Sequence, residues 1–426
     1  MKIAIAGYGL EGKSNYEYFK SRGDVMIVDE HEQLDDLPEG VPTILGPGAF
    51  DKLQGFDMVV RTAGLSPRKI VTDGRVWSAT REFFEQCQTP IIGVTGSKGK
   101  GTTASLIASI LRAAGKRVEL VGNIGVPALD ALEVANQADV VVYELSSFQL
   151  WDLEKSPQVA VVLMIEPDHL DVHVDMQDYV NAKANIARSQ RPSDQVVYYS
   201  QNGYSKSIAS QSAAVRVPYP ARESFHIRDN SFWHGEQRLC GVDALRLPGR
   251  HNLENACAAI AACWSWVTDG EVIARGLAAF TGLPHRLKFV REVSGVSYYD
   301  DSIATTPGSA IAALFAFEQP KVMILGGSSK GADFTELAQI IADQDVRQVV
   351  TIGDEGERIA TVLTDRNIPV RHLGNDIAMR DIVGAAKQAA RPGDVVILSP
   401  ACASFGMFKN YADRGDQFVA AVNELQ

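Results

Sequence analysis

The chain has 426 residues, 46% of them hydrophobic and 22% charged, the balance of an ordinary globular protein with room for roughly two to four domains. A formal net charge of −11 argues against a general nucleic-acid or membrane-surface role, and an anionic substrate would need local basic groups to overcome that field. Five cysteines (Cys87, Cys240, Cys257, Cys263 and Cys402) form no C-x-x-C and read as reduced thiols of a cytoplasmic protein; no apolar run is long enough to span a bilayer, and no leader-like segment precedes the first strand.

In chain order, Lys2–Ala6 reads as a buried strand, Gly7-Tyr8-Gly9-Leu10-Glu11-Gly12 opens a helix, and a second strand over 25–28 ends at Asp29-Glu30. This G-x-G-x-x-G turn has two readings. One is a dinucleotide site with Asp29 on a ribose. The other is a glycine turn that packs helix on strand without a ligand. A third strand, 58–60, leads into Arg61-Thr62-Ala63-Gly64-Leu65-Ser66-Pro67, a loop at a strand's C-terminal end, where α/β sheets bind ligands.

The stretch from Ile91 to Thr103 is the strongest signal. An apolar strand turns through Gly96-Ser97-Lys98-Gly99-Lys100-Gly101 into a helix that begins with Thr102 and Thr103. Strand, glycine loop and helix N-terminus make a phosphate cradle, with Lys100 reaching the phosphates and a threonine hydroxyl offered to magnesium. Val94 stands where the standard loop has its first glycine and Gly101 follows the lysine, so the loop is a shortened variant.

A strand over 118–121 runs into Gly122-Asn123-Ile124-Gly125, and one over 140–143 ends at Glu144, a natural magnesium ligand at a strand end or simply a surface glutamate. A strand over 159–165 runs into Glu166-Pro167-Asp168-His169-Leu170-Asp171, where His169 is a second metal ligand or a plain loop histidine. Lys183, in a helix over 179–186, reads as a solvated lysine. A glycine-led loop enters an Ala-rich helix over 255–263, where Asn252 and Asn255 share a face that could read a nucleobase edge or cap the helix. Alternating strands and helices from 298 to 398 give a further α/β unit.

These stretches, with Tyr143-Glu144-Leu145-Ser146-Ser147-Phe148-Gln149-Leu150, Gly282-Leu283-Pro284-His285-Arg286 and Ser399-Pro400-Ala401-Cys402-Ala403-Ser404, occur in the order in which they stand in the Mur ligases. The chain resembles that family of ATP-dependent amide-bond formers of peptidoglycan precursor synthesis, and the 144–150 and 399–404 segments point to its D-glutamate-adding branch. The resemblance implies an α/β protein of three domains closing around a shared cleft: a Rossmann-like UDP-binding domain at 1–88, a central P-loop ATPase-type domain at 89–282, and a C-terminal Rossmann-like glutamate domain at 283–426. It implies ATP and Mg2+ as cofactors, UDP-N-acetylmuramoyl-L-alanine and D-glutamate as substrates, an acyl-phosphate intermediate, and a cytoplasmic monomer without nucleic-acid or membrane partners.

Carried over residue by residue, the resemblance assigns the ATP phosphates to Gly96, Ser97, Lys98, Gly99, Lys100, Gly101 and Thr102, with Lys100 catalytic. It gives magnesium to Thr102, Glu144 and His169, and makes Lys183 a lysine that is carbamylated into a metal-supporting anion. Asn252, Asn255, Arg286 and Asp301 fall at ATP, with His169, Lys183 and Asp301 counted as catalytic. Leu10, Glu11, Asp29, Glu30 and Gly64 fall where the UDP end is read, which replaces the NAD reading; Asn123 falls at the muramoyl substrate, and Ser147 is counted among the substrate-binding residues. Thr305, Lys330, Ser404, Phe405 and Tyr411 match the glutamate pocket. The chain departs from the pattern at Thr62-Ala63-Gly64, Gly101, Met164, Ile303 and Thr306. Ile303 replaces a family lysine, for which Lys98 is a candidate substitute. The Gly-Lys-Gly-Thr loop looks like that of folylpolyglutamate synthases, so a folate-type ligase and an L-glutamate acceptor stand as alternatives, with a nucleotide-binding protein as the reading from another class.

Overall fold

The computed structural model describes residues 1–34, 36–122, 127–170, 172–329, 331–404 and 406–426. Asn123, Lys330 and Phe405, three of the expected substrate contacts, lie outside the described residues, as does Asp171. Contacts divide the chain into two compact units, 1–245 with 251–280, and 246–250 with 281–426.

The first unit holds two parallel sheets. β1 (Lys2–Ala6), β2 (Asp24–Asp29), β3 (Thr43–Leu45), β4 (Met58–Arg61) and β5 (Arg75–Ser78) stand in the order β3-β2-β1-β4-β5. β6 (Ile91–Thr95), β7 (Val118–Gly122), β8 (Val140–Glu144), β9 (Val159–Val162), β10 (Gln195–Tyr199) and β11 (Val215–Tyr219) stand in the order β11-β10-β9-β6-β8-β7. Their sequences are short runs of Val, Ile and Ala, buried along the central strands, which is what a parallel sheet covered on both faces requires. One hydrophobic core joins the two sheets: Phe83, from the helix Ala79–Gln86, meets Tyr143 edge to face at 5.3 Å. Arg61, wholly buried at the end of β4, makes a two-pronged bond to Asp152, Nε to Oδ2 at 2.9 Å and Nη2 to Oδ1 at 2.7 Å.

A three-stranded antiparallel sheet, β12 (Phe225–Arg228), β13 (Ser231–His234) and β14 (Gln237–Gly241), was not foreseen from the sequence. Its first turn is the pair Asp229-Asn230, both at positive φ (47° and 49°), the geometry that lets a two-residue turn follow the strand twist.

The second unit is one six-stranded sheet, β15 (Lys288–Val293), β16 (Val296–Asp300), β17 (Lys321–Gly326), β18 (Val346–Ile352), β19 (Val370–His372) and β20 (Val395–Leu398), in the order β15-β16-β20-β17-β18-β19. β15 is antiparallel to β16, and the remaining pairs are parallel. The parallel strands therefore deliver Asp300, Gly326 and Leu398 to the same edge, and the loops that follow gather there.

Two expected boundaries differ. The strand expected over 159–165 stops at Val162, because the chain beyond it leaves the ladder to hold the 96–99 loop: Met164 O accepts the Ser97 N–H at 3.0 Å. The helix expected over 255–263 begins at Arg250, so Asn252 and Asn255 lie inside its first turns. Among the described residues no helix is long and apolar enough to cross a membrane, and all five cysteines are free thiols.

Candidate active site

The 96–99 loop hangs from β6, whose five residues are all buried, and runs into the helix Lys100–Ala113. Gly99 caps that helix at φ +84°, and a Cβ on it would stand 2.5 Å from Asn255 Oδ1. Only glycine fits there. This approach brings the asparagine pair to the loop; the pair's amides bond to each other, Asn255 Nδ2 donating to Asn252 Oδ1 at 3.2 Å. Ser97 clasps the loop after β9: its hydroxyl donates to Glu166 O at 2.8 Å, accepts from Glu166 N–H at 3.0 Å, and lies 3.0 Å from the Tyr179 hydroxyl. Lys98 is exposed and pairs with the Glu166 carboxylate at 2.7 Å.

Two lysines converge on one carbonyl. Lys100 Nζ donates to Gly96 O at 3.1 Å and Ser97 O at 3.0 Å, while Lys183 Nζ donates to Gly96 O at 2.9 Å. The reading of Lys183 as a solvated lysine is thereby corrected, since it is 1% exposed. Tyr179, Lys183 and Ile186 stand four and three apart on the buried stripe of the helix Met176–Arg188, a spacing that carried the signal. Burial, and then the charge of Lys100, hold the Lys183 amine well below the ordinary lysine range, against the pull of Asp168 and Glu144. A shift in that direction favours the uncharged amine, the form that can add carbon dioxide.

Strand register sets Glu144 opposite Val94, so its buried carboxylate ends β8 beside the loop. Thr102, also buried, stands in the first turn of the helix Lys100–Ala113, and Gly101 beside it is buried too. These are hard oxygen donors of the kind magnesium takes. Among the described residues no three His, Cys, Asp or Glu gather to hold a metal by themselves. His169 is exposed, at φ +54°, with its ring 4.9 Å from Phe148 and its Nε2 3.7 Å from Asp168. A non-glycine residue held in that backbone region is the kind of strain that collects at working sites.

In the N-terminal sheet, a Cβ on Gly12 would stand 2.1 Å from Gly7 O, so the glycine turn does pack helix on strand. Asp29 is engaged from three sides: Oδ2 accepts from Tyr8 N–H at 2.8 Å, and Oδ1 takes the His31 N–H at 3.0 Å and ring Nδ1 at 2.6 Å. Burial pushes its pKa up, but the bonds from His31 and Tyr8 outweigh it and the carboxyl sits below its ordinary value. Glu11 Oε2 accepts the Ala63 N–H at 2.7 Å, which bridges the two glycine loops; burial raises this carboxyl, opposed by that bond and by Arg61. Leu10, Glu30 and Gly64 are exposed nearby in sequence.

In the second unit, Asp301 Oδ2 accepts from the Ser399 hydroxyl at 2.7 Å and Oδ1 from Leu287 N–H at 3.1 Å. Its neighbour Asp300 bonds His285 Nδ1 at 2.7 Å and Ser302 N–H at 3.0 Å. Ser404 is buried, Thr305 half-buried and Tyr411 exposed, and the Tyr411 carbonyl accepts the Ser302 hydroxyl at 2.7 Å. Arg414, which the sequence reading did not single out, sits under these loops with no surface exposure.

Burial pushes Asp301 up to about 7, with Ser399, Leu287 N–H and Arg286 working against it and Asp300 with it. A carboxyl raised in the folded state keeps a proton that the unfolded chain has lost. Stability from this group is full below its ordinary value of 3.8 and is lost as pH rises through about 7. Asp301→Asn is expected to flatten that loss: the wild type should melt lower at pH 8 than at pH 5, and the variant should show a smaller difference.

Comparisons with known proteins place the chain in a family. The Mur ligase middle domain matches residues 94–263 and the Mur ligase glutamate ligase domain matches residues 285–402. The UDP-N-acetylmuramoylalanine–D-glutamate ligase of Symbiobacterium thermophilum is 35% identical over 450 residues, covering 100% of this chain and 98% of that one. The enzyme of the same name from Acetivibrio thermocellus is 36% identical over 458 residues, covering 100% and 97%. The chain belongs to the Mur ligase family.

Among solved structures, the UDP-N-acetylmuramate-alanine ligase of Thermotoga maritima shares the Mur ligase fold with this chain, with a TM-score of 0.63 at 20% identity over 99% of each chain. A Mycobacterium tuberculosis folylpolyglutamate synthase complexed with ADP has a TM-score of 0.60 at 17% identity, covering 82% of this chain and 94% of that one. As a Mur ligase, the chain has a mixed α/β fold with parallel sheets.

Proposed function

We propose that this Mur ligase joins D-glutamate to UDP-N-acetylmuramoyl-L-alanine at the expense of ATP. The reading is supported by the curated relatives of that name along the full chain and, in the geometry, by one observation above the others: two lysines, one of them buried and depressed, meeting on the Gly96 carbonyl of a glycine loop.

A carboxylate is a poor electrophile until one oxygen becomes part of a leaving group. In the proposed reaction the carboxylate of the precursor's L-alanine attacks the γ-phosphorus of ATP, ADP leaves, and an acyl phosphate forms. The amine of D-glutamate adds to its carbonyl carbon, and collapse expels phosphate and a proton to give the amide. We assign Lys100 and the helix N-terminus behind Gly99 to the phosphates, where fixed positive charge stabilises the transferring group. Thr102 and Glu144 would hold Mg2+, with His169 and a carbamylated Lys183 supporting a second ion; bound there, magnesium neutralises charge on the phosphoryl oxygens. Asn255, packed on Gly99, and its bonded neighbour Asn252 are assigned with Arg286 and Asp301 to the nucleotide. Glu11 and Asp29 are assigned with Leu10 and Gly64 to the UDP end, Ser147 to the muramoyl substrate, and Thr305, Ser404 and Tyr411 to glutamate. In domain terms this makes 1–88 the Rossmann-like UDP domain, 89–282 the P-loop domain and 283–426 the Rossmann-like acceptor domain of a cytoplasmic enzyme.

The Gly-Lys-Gly-Thr loop favours a second reading, a folate-directed ligase, but it leaves the N-terminal sheet β1–β5 without a task. The test is phosphate release from ATP and Mg2+ with the precursor plus D-glutamate, L-glutamate or neither. Release that requires both the precursor and D-glutamate is expected. Preference for L-glutamate would overturn the acceptor, and release with a folate in place of the precursor would overturn the donor.

A further inference from the structure

Ser147, His173 and Asp178 lie in one hydrogen-bonded line. His173 Nε2 is 3.0 Å from Ser147 Oγ, and His173 Nδ1 is 2.9 Å from Asp178 Oδ2. The three residues come from separate stretches: the short helix Ser147–Leu150 that follows β8, residues 172–175 ahead of the helix Met176–Arg188, and the first turn of that helix. The imidazole has no freedom to turn. Its side chain is fully buried, stacked on Phe148 at 5.5 Å and 8°, with Trp151 at 4.5 Å and Tyr179 edge-on at 5.2 Å. Asp178 is fixed from the other side by Arg68, whose guanidinium bonds both carboxylate oxygens, Nη1 to Oδ2 at 3.0 Å, and lies 5.6 Å over the Trp151 ring. Arg68 lies in the short 3-10 helix Pro67–Lys69 that comes after β4 of the N-terminal sheet.

The chemistry fixes which atom holds each proton. A carboxylate paired with a guanidinium can only accept, so the Asp178–His173 bond places the proton on Nδ1. In the neutral ring, which burial favours, Nε2 then carries a lone pair and the Ser147 hydroxyl donates to it. With its hydrogen committed, Ser147 Oγ can offer a partner only lone pairs. The precursor carries one donor next to the reacting carboxylate, the amide N–H of its L-alanine.

We propose that Asp178 and His173 are positioning residues that hold the Ser147 hydroxyl as a hydrogen-bond acceptor for the amide N–H beside the precursor's reacting carboxylate. This rests on the ligase reading above. The relay makes Ser147 a one-way acceptor, whereas a free serine would rotate and donate as readily.

The experiment is a double-mutant cycle in the full-length enzyme, read as KM for UDP-N-acetylmuramoyl-L-alanine and for ATP. Ser147→Ala and His173→Phe, the latter keeping the aromatic stack, are each expected to raise the precursor KM by about tenfold, with the ATP KM within about twofold. The double variant is expected to be no worse than either single one, because the residues act as a unit. His173→Gln, which keeps a polar group toward Ser147, should recover part of the loss. Independent effects, giving about a hundredfold in the double variant, or an ATP KM that rises in parallel, would overturn the relay. If His173→Phe fails to fold by thermal melting, Asp178→Asn takes its place in the cycle with the same expectations. A second measurement uses the ester analogue of the precursor, with L-lactate replacing L-alanine and hence no N–H. The wild type should discriminate against it and Ser147→Ala should not; equal discrimination by both would also overturn the assignment. A wild type that releases no phosphate with precursor and D-glutamate sinks the ligase reading itself, whereas an active wild type with an additive cycle sinks only the relay.

Discussion

Lys183→Met is expected to lower kcat by about 10²–10³-fold, the scale seen when one preorganised electrostatic group is removed from a phosphoryl or acyl-transfer site, and at the same time to raise the melting temperature. The two effects have one cause. The Lys183 amine is buried and lies close to Lys100, so its pKa is well below that of the unfolded chain. Where the unfolded chain binds more protons than the folded one, stability rises with pH. The penalty from Lys183 is therefore full below its depressed folded value and fades as pH climbs toward the ordinary lysine range. Methionine keeps most of the volume without the charge, and Gly96 O retains its bond from Lys100 at 3.1 Å, so no buried carbonyl is orphaned. In carbonate-free buffer the wild type should gain stability between pH 7 and pH 9, and the variant should start higher and change less. Carbonate-free buffer should also slow the wild type if the carbamate is the working group, and acetate should restore part of the activity of Lys183→Ala by supplying the missing carboxylate. Unchanged kcat in a folded Lys183→Met would remove this residue from the site.

Arg414→Met is expected to destabilise the second unit by about 3–5 kcal/mol, a few buried acceptors left without donors, and to raise the KM for glutamate by roughly 10–100-fold. Among the described residues Arg414 forms no bond to a carboxylate; it holds backbone and a hydroxyl. Its Nε donates to Ser302 Oγ at 2.9 Å, Nη2 to Ser302 O at 2.8 Å, and Nη1 to Cys402 O at 3.2 Å and Ala403 O at 3.3 Å. Burial lowers its pKa to about 10, yet the guanidinium stays charged at neutral pH. One side chain thus fastens the loop after β16 to the loop after β20, the two loops that carry Thr305 and Ser404. Removing it leaves several carbonyls buried without donors, which is the expensive way to lose a hydrogen bond. Lysine cannot substitute, because a single ammonium cannot span three carbonyls and a hydroxyl. Denaturant unfolding and D-glutamate titration measure the two effects. A variant that unfolds like the wild type, with an unaltered glutamate KM, would show that the loops hold without it.

The glycine loop was legible in the sequence because its parts are contiguous: a short apolar run, a glycine-rich turn, a lysine and a helix start within thirteen positions. The carboxylate and histidine at strand ends were legible as candidates for the same reason, since a parallel sheet puts every such end on one edge. What escaped was anything set by distance along the chain. Arg61 and Asp152 are 91 residues apart, Arg68 and Asp178 are 110 apart, and Ser302 and Arg414 are 112 apart. No local pattern links such pairs. Lys183 is intermediate: its helix spacing placed it on the buried stripe, but residue type suggested solvent, and only the loop carbonyl it meets explains why it is inside. The N-terminal glycine motif shows the opposite hazard. Gly7 and Gly12 are accounted for by packing alone, so the motif could not by itself say which nucleotide, if any, it serves.

The most direct measurement is the phosphate-release reaction run with oxygen-18 in the carboxylate of the precursor's L-alanine. If this chain activates that carboxylate as an acyl phosphate before glutamate attacks, the oxygen that bridges to phosphorus leaves with the phosphate, and the phosphate released in the presence of D-glutamate must carry one labelled oxygen per turnover. Unlabelled phosphate, formed at the same rate with or without the amino acid, would mean that water rather than the carboxylate takes the phosphoryl group, and would contradict the ligase account at its centre.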